Sequence, residues 1–251
     1  NRVFQAIFYN LDDTLCVVIP VAMRARRQAF EELVQPLVSM EIEAIDKVYK
    51  EVFAQMLELC QHEPWRSRYL KSGEPTRTET MRRLLERLGI EDLDLAKQLS
   101  SRYAHLREEY LTLFEDALPT LTTLRPHFAL GVITNGPADV QQQEIERLGL
   151  KPWLDVILIE GELGIGKPDP RIFQAALQAI GVKPEQALFV GNSWENDIQG
   201  ALGVGMHAVW LNRDGVPRQE GNDSLVAEIR TLFELPPLLG VAPTLQTPPK
   251  I

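Results

Sequence analysis

The feature that most constrains the fold is a short apolar segment near the start of the chain that ends abruptly in polar residues. Residues 3–9 read Val-Phe-Gln-Ala-Ile-Phe-Tyr and are followed by Asn-Leu-Asp-Asp-Thr at positions 10–14. Such a run is typical of a buried strand. If the backbone stays extended, Asn10 and Asp12 project on the same side about 6–7 Å apart. The pair could carry out chemistry, with one group attacking and the other moving a proton, or could simply cap a turn.

The second half of the chain alternates between apolar runs and amphipathic stretches. Strands are predicted at 128–133, 155–159, 187–190 and 207–211, and helices at 138–148, 170–180 and 197–203. With the first segment this makes five strands. Strand–helix alternation predicts an α/β domain with a parallel, doubly wound sheet, whose sites lie at the carboxyl ends of the strands.

The segment between these two parts has a different pattern. Residues 21–40, 42–59, 76–88 and 93–114 carry apolar side chains at helical spacing, and a stretch rich in Pro, Gly and polar residues occupies 63–75. No strand is predicted there. The composition shift indicates an all-helical module inserted into the α/β domain.

Four polar motifs follow predicted strands, and together they resemble those of the haloacid dehalogenase-like (HAD) phosphatases. Positions 10–14 resemble the first motif, D-x-D-x-T, with Asn10 where the family has its nucleophilic Asp. Thr134 ends a strand as in the second motif. Lys167, within Gly-x-Gly-Lys-Pro-Asp-Pro, is similar to the lysine of the third. Asp197 matches the last acid of the fourth, G-D-x-x-x-x-D, in which Asn192 replaces the first acid.

The resemblance implies a domain organisation. Residues 1–16 and 113–235 would form a Rossmann-like core, residues 17–112 an α-helical cap, and residues 236–251 a Pro-rich tail that we expect to be irregular.

A phosphate-cradling P-loop is a second interpretation of the segment around Lys167. Gly161, Gly166 and Lys167 have the spacing G-x-x-x-x-G-K. The next residue is Pro168, which offers neither a hydroxyl for Mg²⁺ nor a backbone N–H for a phosphate. We therefore reject the P-loop.

The resemblance also implies a mechanism. The residue at position 10 would attack phosphorus, and Asp12 would protonate the leaving group and then activate water. Thr134 and Lys167 would bind the phosphoryl group, and Asn135 and Gly136 would contact the substrate. Mg²⁺ would be held by Asn10, Asp12, Asn192 and Asp197. An acid two residues after the nucleophile favours phosphoryl chemistry over dehalogenation.

Asn10 is the difficulty, because an amide is a poor nucleophile. It is either an engineered replacement that traps a phosphatase with its ligand or a natural loss that leaves a pseudoenzyme; the intact Asp12, Thr134, Lys167 and Asp197 favour replacement. Three functions follow: a Mg²⁺-dependent phosphatase of small phosphorylated metabolites, disabled here at Asn10; a noncatalytic phospho-ligand-binding protein; and, third, a haloacid dehalogenase.

Basic residues in the predicted cap are candidate substrate ligands. Arg66 and Arg68 lie in a predicted loop beside Trp65 and could bind a phosphate or carboxylate group bidentately. Charged residues on helices more often form solvated faces. No cap residue identifies the substrate.

Composition narrows the partners. With 26 basic and 35 acidic residues, a net charge of −9 argues against nucleic acid and anionic membranes. The two cysteines predict no disulfide framework, and the four histidines show no metal-ligand spacing. Without a long apolar run or a signal-like start, we expect a cytoplasmic monomer or homodimer.

Overall fold

The computed structural model describes residues 4–217 and 225–242. Val3 of the predicted first strand and residues 243–251 of the predicted tail lie outside this part of the chain. Two compact units are present. The first comprises residues up to Cys16, 113–135 and from Leu148 onward; the second comprises 17–112 and 136–147.

The strands of the described residues belong to two sheets. In chain order they are β1 (Ala6–Tyr9), β2 (Cys16–Val17), β3 (Thr112–Leu113), β4 (Ala129–Thr134), β5 (Val156–Ile159), β6 (Ala187–Gly191), β7 (His207–Leu211) and β8 (Leu225–Ile229). The large sheet has the order β5-β4-β1-β6-β7-β8, and every adjacent pair in it is parallel. Strands β2 and β3 form a separate two-stranded sheet. The parallel α/β sheet predicted from the sequence is thus confirmed.

Strand β1 lies in the middle of the large sheet because both of its faces are apolar. All four of its residues are fully buried, as expected for a strand covered on both sides. Ala6 lies opposite Ala129 of β4 and Ala187 of β6. The register aligns the carboxyl ends of the three strands, which brings the residues that follow them to one edge of the sheet.

Helices occupy most of the remaining described chain. In chain order they are α1 (Ile19–Leu33), α2 (Ile42–Leu59), α3 (Trp65–Lys71), α4 (Gly73–Arg87), α5 (Leu93–Tyr110), α6 (Ala117–Leu124), α7 (Ala138–Arg147), α8 (Glu160–Leu163), α9 (Pro170–Ile180), α10 (Gly200–Gly203) and α11 (Leu235–Leu238).

The helical unit has its own core. Helices α1, α2, α4 and α5 contribute buried side chains that include Phe30, Ile45, Leu84 and Leu99. Helix α1 ends at Leu33 and a 3₁₀ turn follows over Gln35–Leu37, so the prediction of one helix to residue 40 is wrong. Pro36 explains the break, since the residue before a proline disfavours helical backbone.

The predicted irregular stretch 63–75 is also corrected. It contains α3 and the start of α4, whose N-cap Ser72 accepts a hydrogen bond from the Glu74 N–H. Pro75 stands in the first turn of α4, where a missing N–H costs little. Gly73 permits close packing, because a Cβ there would lie 2.6 Å from Val140 Cγ2.

Short and edge elements were missed by the sequence analysis. Strand β8 makes the sheet six-stranded rather than five-stranded, and β3 ends the helix predicted over 93–114 at Tyr110. Helix α11 begins at Leu235 and extends into the predicted irregular tail, and its residues Leu235 and Pro236 are buried. In the region 4–217 and 225–242, no helix is both long and apolar enough to cross a bilayer.

Two phenylalanines of the helical unit allow a test of how its core is packed. Phe30 is fully buried, whereas Phe53 of the same unit is 42% exposed. We expect Phe30→Ala to lower the free energy of unfolding by about 3–5 kcal/mol, because it leaves a cavity. Phe53→Ala should cost about 1 kcal/mol, mainly its stacking on Tyr49. Urea unfolding of both variants measures the difference; equal losses would contradict this description of the core.

Candidate active site at the carboxyl edge of the sheet

The candidate site forms where polar residues follow the central strands. Asn10 comes directly after β1, Thr134 is the last residue of β4, and Asn192 follows β6. Since β4 and β6 flank β1, these residues come together at one edge. The sheet topology therefore assembles residues separated by up to 182 positions.

Asn10 is buried and uses its whole amide group. Its Nδ2 donates to the backbone carbonyl oxygen of Asp12 at 2.8 Å and to Asn192 Oδ1 at 2.8 Å. Its Oδ1 accepts from Lys167 Nζ at 2.9 Å. Thr14 Oγ1 also donates to Asn192 Oδ1, at 3.0 Å. We call Asn10, Asp12, Thr14, Lys167, Asn192 and Asp197 the Asn10 cluster.

Lys167 places a buried cation in this cluster. Its side chain is 2% exposed, and its Nζ lies 2.6 Å from Asp197 Oδ1 in addition to its contact with Asn10. Asn135 fixes the backbone of the lysine: its Oδ1 accepts from the Lys167 N–H at 2.7 Å, and its Nδ2 donates to the Lys167 carbonyl at 2.8 Å. A buried charge of this kind needs a paired, hydrogen-bonded environment.

Asp197 is held from both sides. Lys167 contacts Oδ1, and the Ser193 N–H donates to Oδ2 at 3.0 Å. Asp197 lies in a π-helical turn over Trp194–Gln199, an irregularity often found at functional sites. Gly191 is required by the close approach of this carboxylate, since a Cβ there would lie 2.4 Å from Asp197 Oδ2.

The backbone turns directly after Asp12. Asp13 has a positive φ of 58°, and the Thr14 and Leu15 N–H groups both donate to the Leu11 carbonyl oxygen. The resulting turn directs the carbonyl oxygen of Asp12 towards Asn10. A tight turn thus follows Asn10 and Asp12 directly, and the same-side placement of their side chains stays a prediction.

The other predicted site residues divide between the two units. Thr134 is buried and belongs to the first unit with Asn135. Gly136 is grouped with the second unit and has a φ of 132°, which favours glycine. The structure thus brings together Asn10, Asp12, Asn135, Lys167, Asn192 and Asp197.

Arg66 and Arg68 lie in helix α3, so their placement in a loop is wrong. The Arg68 guanidinium lies 5.0 Å from the centre of the Trp65 ring. Several other arginines form ion pairs within the helical unit: Arg26 with Asp46, Arg27 with Glu31 and Glu43, Arg82 with Glu79 and Glu86, and Arg83 with Glu79.

Arg77 was missed by the sequence analysis. Its Nε donates to Ser100 Oγ at 3.1 Å, and no carboxylate of the described residues lies within ion-pair distance of it. Burial lowers the pKa of its guanidinium from the usual value, and the nearby Tyr103, Glu74 and Asp139 only partly oppose that shift. A half-buried guanidinium without a carboxylate partner is a candidate anion ligand of the helical unit. A single Arg on an amphipathic helix gives no such signal in the sequence.

Arg213 and Asp116 were missed as well. Two nitrogens of Arg213 contact the two Asp116 oxygens at 2.7 and 2.8 Å, and Nη2 also donates to the Thr14 carbonyl at 3.1 Å. Thr231 Oγ1 and the Leu232 N–H complete the Asp116 shell. Burial pushes the pKa of Asp116 up, but the hydrogen bonds from these partners lower it below its ordinary value. This network anchors the turn after β1.

Comparison with known proteins identifies the class. Residues 4–205 match the family profile described as haloacid dehalogenase-like hydrolase. The chain therefore belongs to the haloacid dehalogenase-like hydrolases. It is 36% identical to a phosphoserine phosphatase of Thermus thermophilus over 63% of this chain and 64% of that protein.

Two further relatives cover more of the chain. A glyceraldehyde 3-phosphate phosphatase of Methanopyrus kandleri is 30% identical over 83% of this chain and 84% of its own length. The structure of a 2-haloacid dehalogenase from Pseudomonas syringae is 31% identical, covers 95% of this chain and 99% of its own, and superposes with a TM-score of 0.68. The family thus includes both phosphatases and dehalogenases similar to this chain.

Phosphatases of this family generally use Mg²⁺, but the residues present do not fit a divalent cation. Over residues 4–217 and 225–242, no group of three or more His, Cys, Asp or Glu side chains could hold a metal ion. Between the Asp12 carbonyl oxygen and Asn192 Oδ1 lies the Asn10 Nδ2 group, which is a donor and cannot ligate a metal.

Gly191→Ala tests the packing of the Asp197 carboxylate against the strand end. The new methyl group would overlap Asp197, and overpacking of this kind costs about 1–3 kcal/mol. Gly203→Ala is the matched control, because a Cβ there meets nothing within 4 Å. Thermal unfolding should show a lower midpoint for Gly191→Ala and no decrease for Gly203→Ala.

Asp116→Asn tests the anchoring network. The ion pair is buried on the Asp116 side, so its loss should cost about 3–5 kcal/mol at pH 7. The folded-state pKa of Asp116 is lowered. Its contribution is therefore complete above the unfolded pKa of about 4 and is lost as pH falls through the folded value. Urea unfolding should show that the difference in free energy of unfolding between the unmodified chain and Asp116→Asn narrows below about pH 4. A difference in free energy of unfolding that does not change with pH would contradict the role given to the Asp116 carboxylate.

Proposed function

We propose that this chain binds a small phosphorylated metabolite in the site of a phosphoric monoester hydrolase and that Asn10 makes its turnover negligible. The observation that carries the proposal is the Asn10 cluster: an amide stands at the end of the central strand, in contact with the buried Lys167 ammonium. The lysine and the strand-end residues needed for phosphoryl binding are present. The attacking carboxylate is not.

Each residue has a role in this proposal. A carboxylate at position 10 would attack phosphorus and displace the ester oxygen, forming an aspartyl-phosphate. Asp12 would give a proton to the departing oxygen and then take one from the water that hydrolyses the intermediate. Thr134 and Lys167 would bind the phosphoryl oxygens, and Asn135 supports Lys167 through its backbone.

The amide removes the first of these steps. Its nitrogen donates to two oxygens, and its oxygen is neutral and accepts from a cation, which makes the amide a poor nucleophile. Loss of a nucleophile can reduce kcat by about 10⁶, which corresponds to a barrier increase of about 8 kcal/mol.

A phosphate ester is a better candidate than a haloacid. The relatives described above include phosphatases of phosphoserine and of glyceraldehyde 3-phosphate, although a haloacid dehalogenase is also similar. Asp12 decides in favour of the phosphate ester, because displacing an alkoxide needs a proton donor whereas displacing a halide does not. Arg66, Arg68 and Arg77 are the arginines of the helical unit that we propose for the remainder of the substrate.

A noncatalytic phospho-ligand-binding protein is the second candidate. The contact between Asn10 and Asn192 favours it, since both positions carry amides and the two amides bond to each other. An engineered change at position 10 alone would not explain the second asparagine. In this function the site recognises a phosphorylated metabolite and releases it unchanged.

Restoring carboxylates at positions 10 and 192 distinguishes the two candidate functions. We expect no hydrolysis of p-nitrophenyl phosphate by the unmodified chain or by Asn192→Asp in millimolar Mg²⁺. Asn10→Asp should show turnover, because it regains the nucleophile, and Asn10→Asp/Asn192→Asp should show the most. Gln199→Glu is the control: it adds the same charge at an exposed position close to Asp197 in sequence. A colorimetric rate assay makes the comparison.

Two outcomes would change the assignment. Full activity in the unmodified chain would show that position 10 does not supply the nucleophile. A folded but inactive double variant that still binds inorganic phosphate would favour the noncatalytic function.

A further inference from the structure

We infer that the side-chain amide of Asn10 takes the place of a divalent cation, so that ligand binding at this site neither uses nor requires a metal. The inference rests on the proposed function, because it concerns the same phosphate site. It follows from which atom of Asn10 faces which neighbour.

Lys167 determines how the amide is turned. An ammonium group can only donate hydrogen bonds, and Lys167 Nζ lies 2.9 Å from Asn10 Oδ1. Rotating the amide by half a turn would place its N–H₂ group against the ammonium, with two donors facing each other in a buried site. The oxygen of Asn10 is therefore committed to Lys167.

The nitrogen of Asn10 then occupies the position between two acceptor oxygens. An amide N–H₂ group has two hydrogens, and the Asp12 carbonyl oxygen and Asn192 Oδ1 each lie 2.8 Å from Nδ2. Both hydrogens are used. An aspartate in this position would put an oxygen against the same two oxygens, an arrangement that only a cation or a proton between them stabilises. The amide supplies that bridge itself.

An aspartate and an asparagine differ in how many oxygens they offer. A carboxylate has two, so one could contact Lys167 while the other ligated a metal. Asn10 has a single oxygen, and that oxygen faces Lys167, so the donor nitrogen lies where a second carboxylate oxygen would face the metal. Lys167 thus excludes a metal at Asn10 through the orientation it imposes on the amide.

The net charge of the Asn10 cluster is an independent reason why a divalent cation is excluded. Mg²⁺ is bound through oxygen ligands, usually with one or two carboxylates. Of the ionisable side chains, Lys167 and Asp197 form a pair at 2.6 Å and cancel each other. Asp12 is the one further ionisable side chain of the Asn10 cluster, because positions 10 and 192 carry neutral amides. Two carboxylates at those positions would add two negative charges, the amount that one divalent cation neutralises.

The amide of Asn192 completes the arrangement. Its Oδ1 accepts from Asn10 and Thr14, which turns its Nδ2 away from the bridge. No acceptor among residues 4–217 and 225–242 lies within hydrogen-bond distance of that Nδ2. It remains available to donate to an oxygen of a phosphate group, a role that a metal-ligating carboxylate could not perform.

Calorimetric titration with Mg²⁺ tests the exclusion of metal. We expect no binding heat up to millimolar Mg²⁺ for the unmodified chain and for Gln199→Glu, but saturable binding for Asn10→Asp/Asn192→Asp. The inference is overturned if the unmodified chain binds Mg²⁺ within about tenfold of the affinity of the double variant. It is also overturned if the folded double variant binds none, since the amides would then not be what excludes it. Should the double variant fail to fold, Asn10→Asp alone replaces it.

Titration with inorganic phosphate tests whether ligand binding requires a metal. In the unmodified chain the dissociation constant should be the same in EDTA and in Mg²⁺, because a metal that does not bind cannot be coupled to the ligand. In the double variant, EDTA should weaken phosphate binding by at least about tenfold, since added carboxylates repel the anion. Weakening by EDTA in the unmodified chain, or no phosphate binding under either condition, would overturn the inference. The proposed function fails separately, through absence of turnover in the restored variants.

Discussion

The buried ammonium group of Lys167 is the constraint on which the site depends. A cation with a side-chain exposure of 2% must be compensated within the protein, and its partners are Asp197 and the amide oxygen of Asn10. These partners follow two adjacent strands, β1 and β6, and the lysine itself comes from the loop before α9. One charge therefore connects three segments that lie far apart in the sequence. The hydrogen bonds of Asn135 to the lysine backbone keep that charge in place.

Much of the fold could be predicted, because a strand buried on both faces has an unambiguous pattern. The runs Ala6–Tyr9 and Ala187–Val190, which form β1 and most of β6, are apolar throughout and bounded by polar residues or glycine. Strand β8 was missed because most of its residues are only partly buried and Glu228 is among them, so no continuous apolar run marks it. Helix α3 was missed because Pro64 and Gly73 on either side of it resemble loop signals.

The site was predictable in its members but not in its contacts. Polar residues that follow strands can be recognised from the sequence. Six of the predicted site residues meet in the structure. The turn at Asp13 could not be anticipated, because a positive φ in a non-glycine residue depends on tertiary contacts. Nor could the roles of Asp116 and Arg213, which lie 97 positions apart. The helical unit's Arg77 is a further example, since its burial beside Ser100 is visible only in three dimensions.

The two asparagines are best understood together. Taken separately, Asn10 is a missing nucleophile and Asn192 a weakened metal ligand. Their mutual hydrogen bond makes them one unit that replaces two carboxylates and the charge that would have balanced them. On this account the natural loss of catalysis explains both positions, whereas a trapping substitution explains only the first.

Anomalous diffraction from crystals soaked in Mn²⁺ tests the central claim most directly. Mn²⁺ favours the same oxygen ligands as Mg²⁺ and can be located without ambiguity. The account predicts no anomalous peak between the Asp12 carbonyl oxygen and residue 192 in the unmodified chain, with the Asn10 amide still bridging them. The Asn10→Asp/Asn192→Asp protein should show such a peak under the same soak. A peak at that position in the unmodified chain, with Asn10 turned away from Lys167, would contradict it.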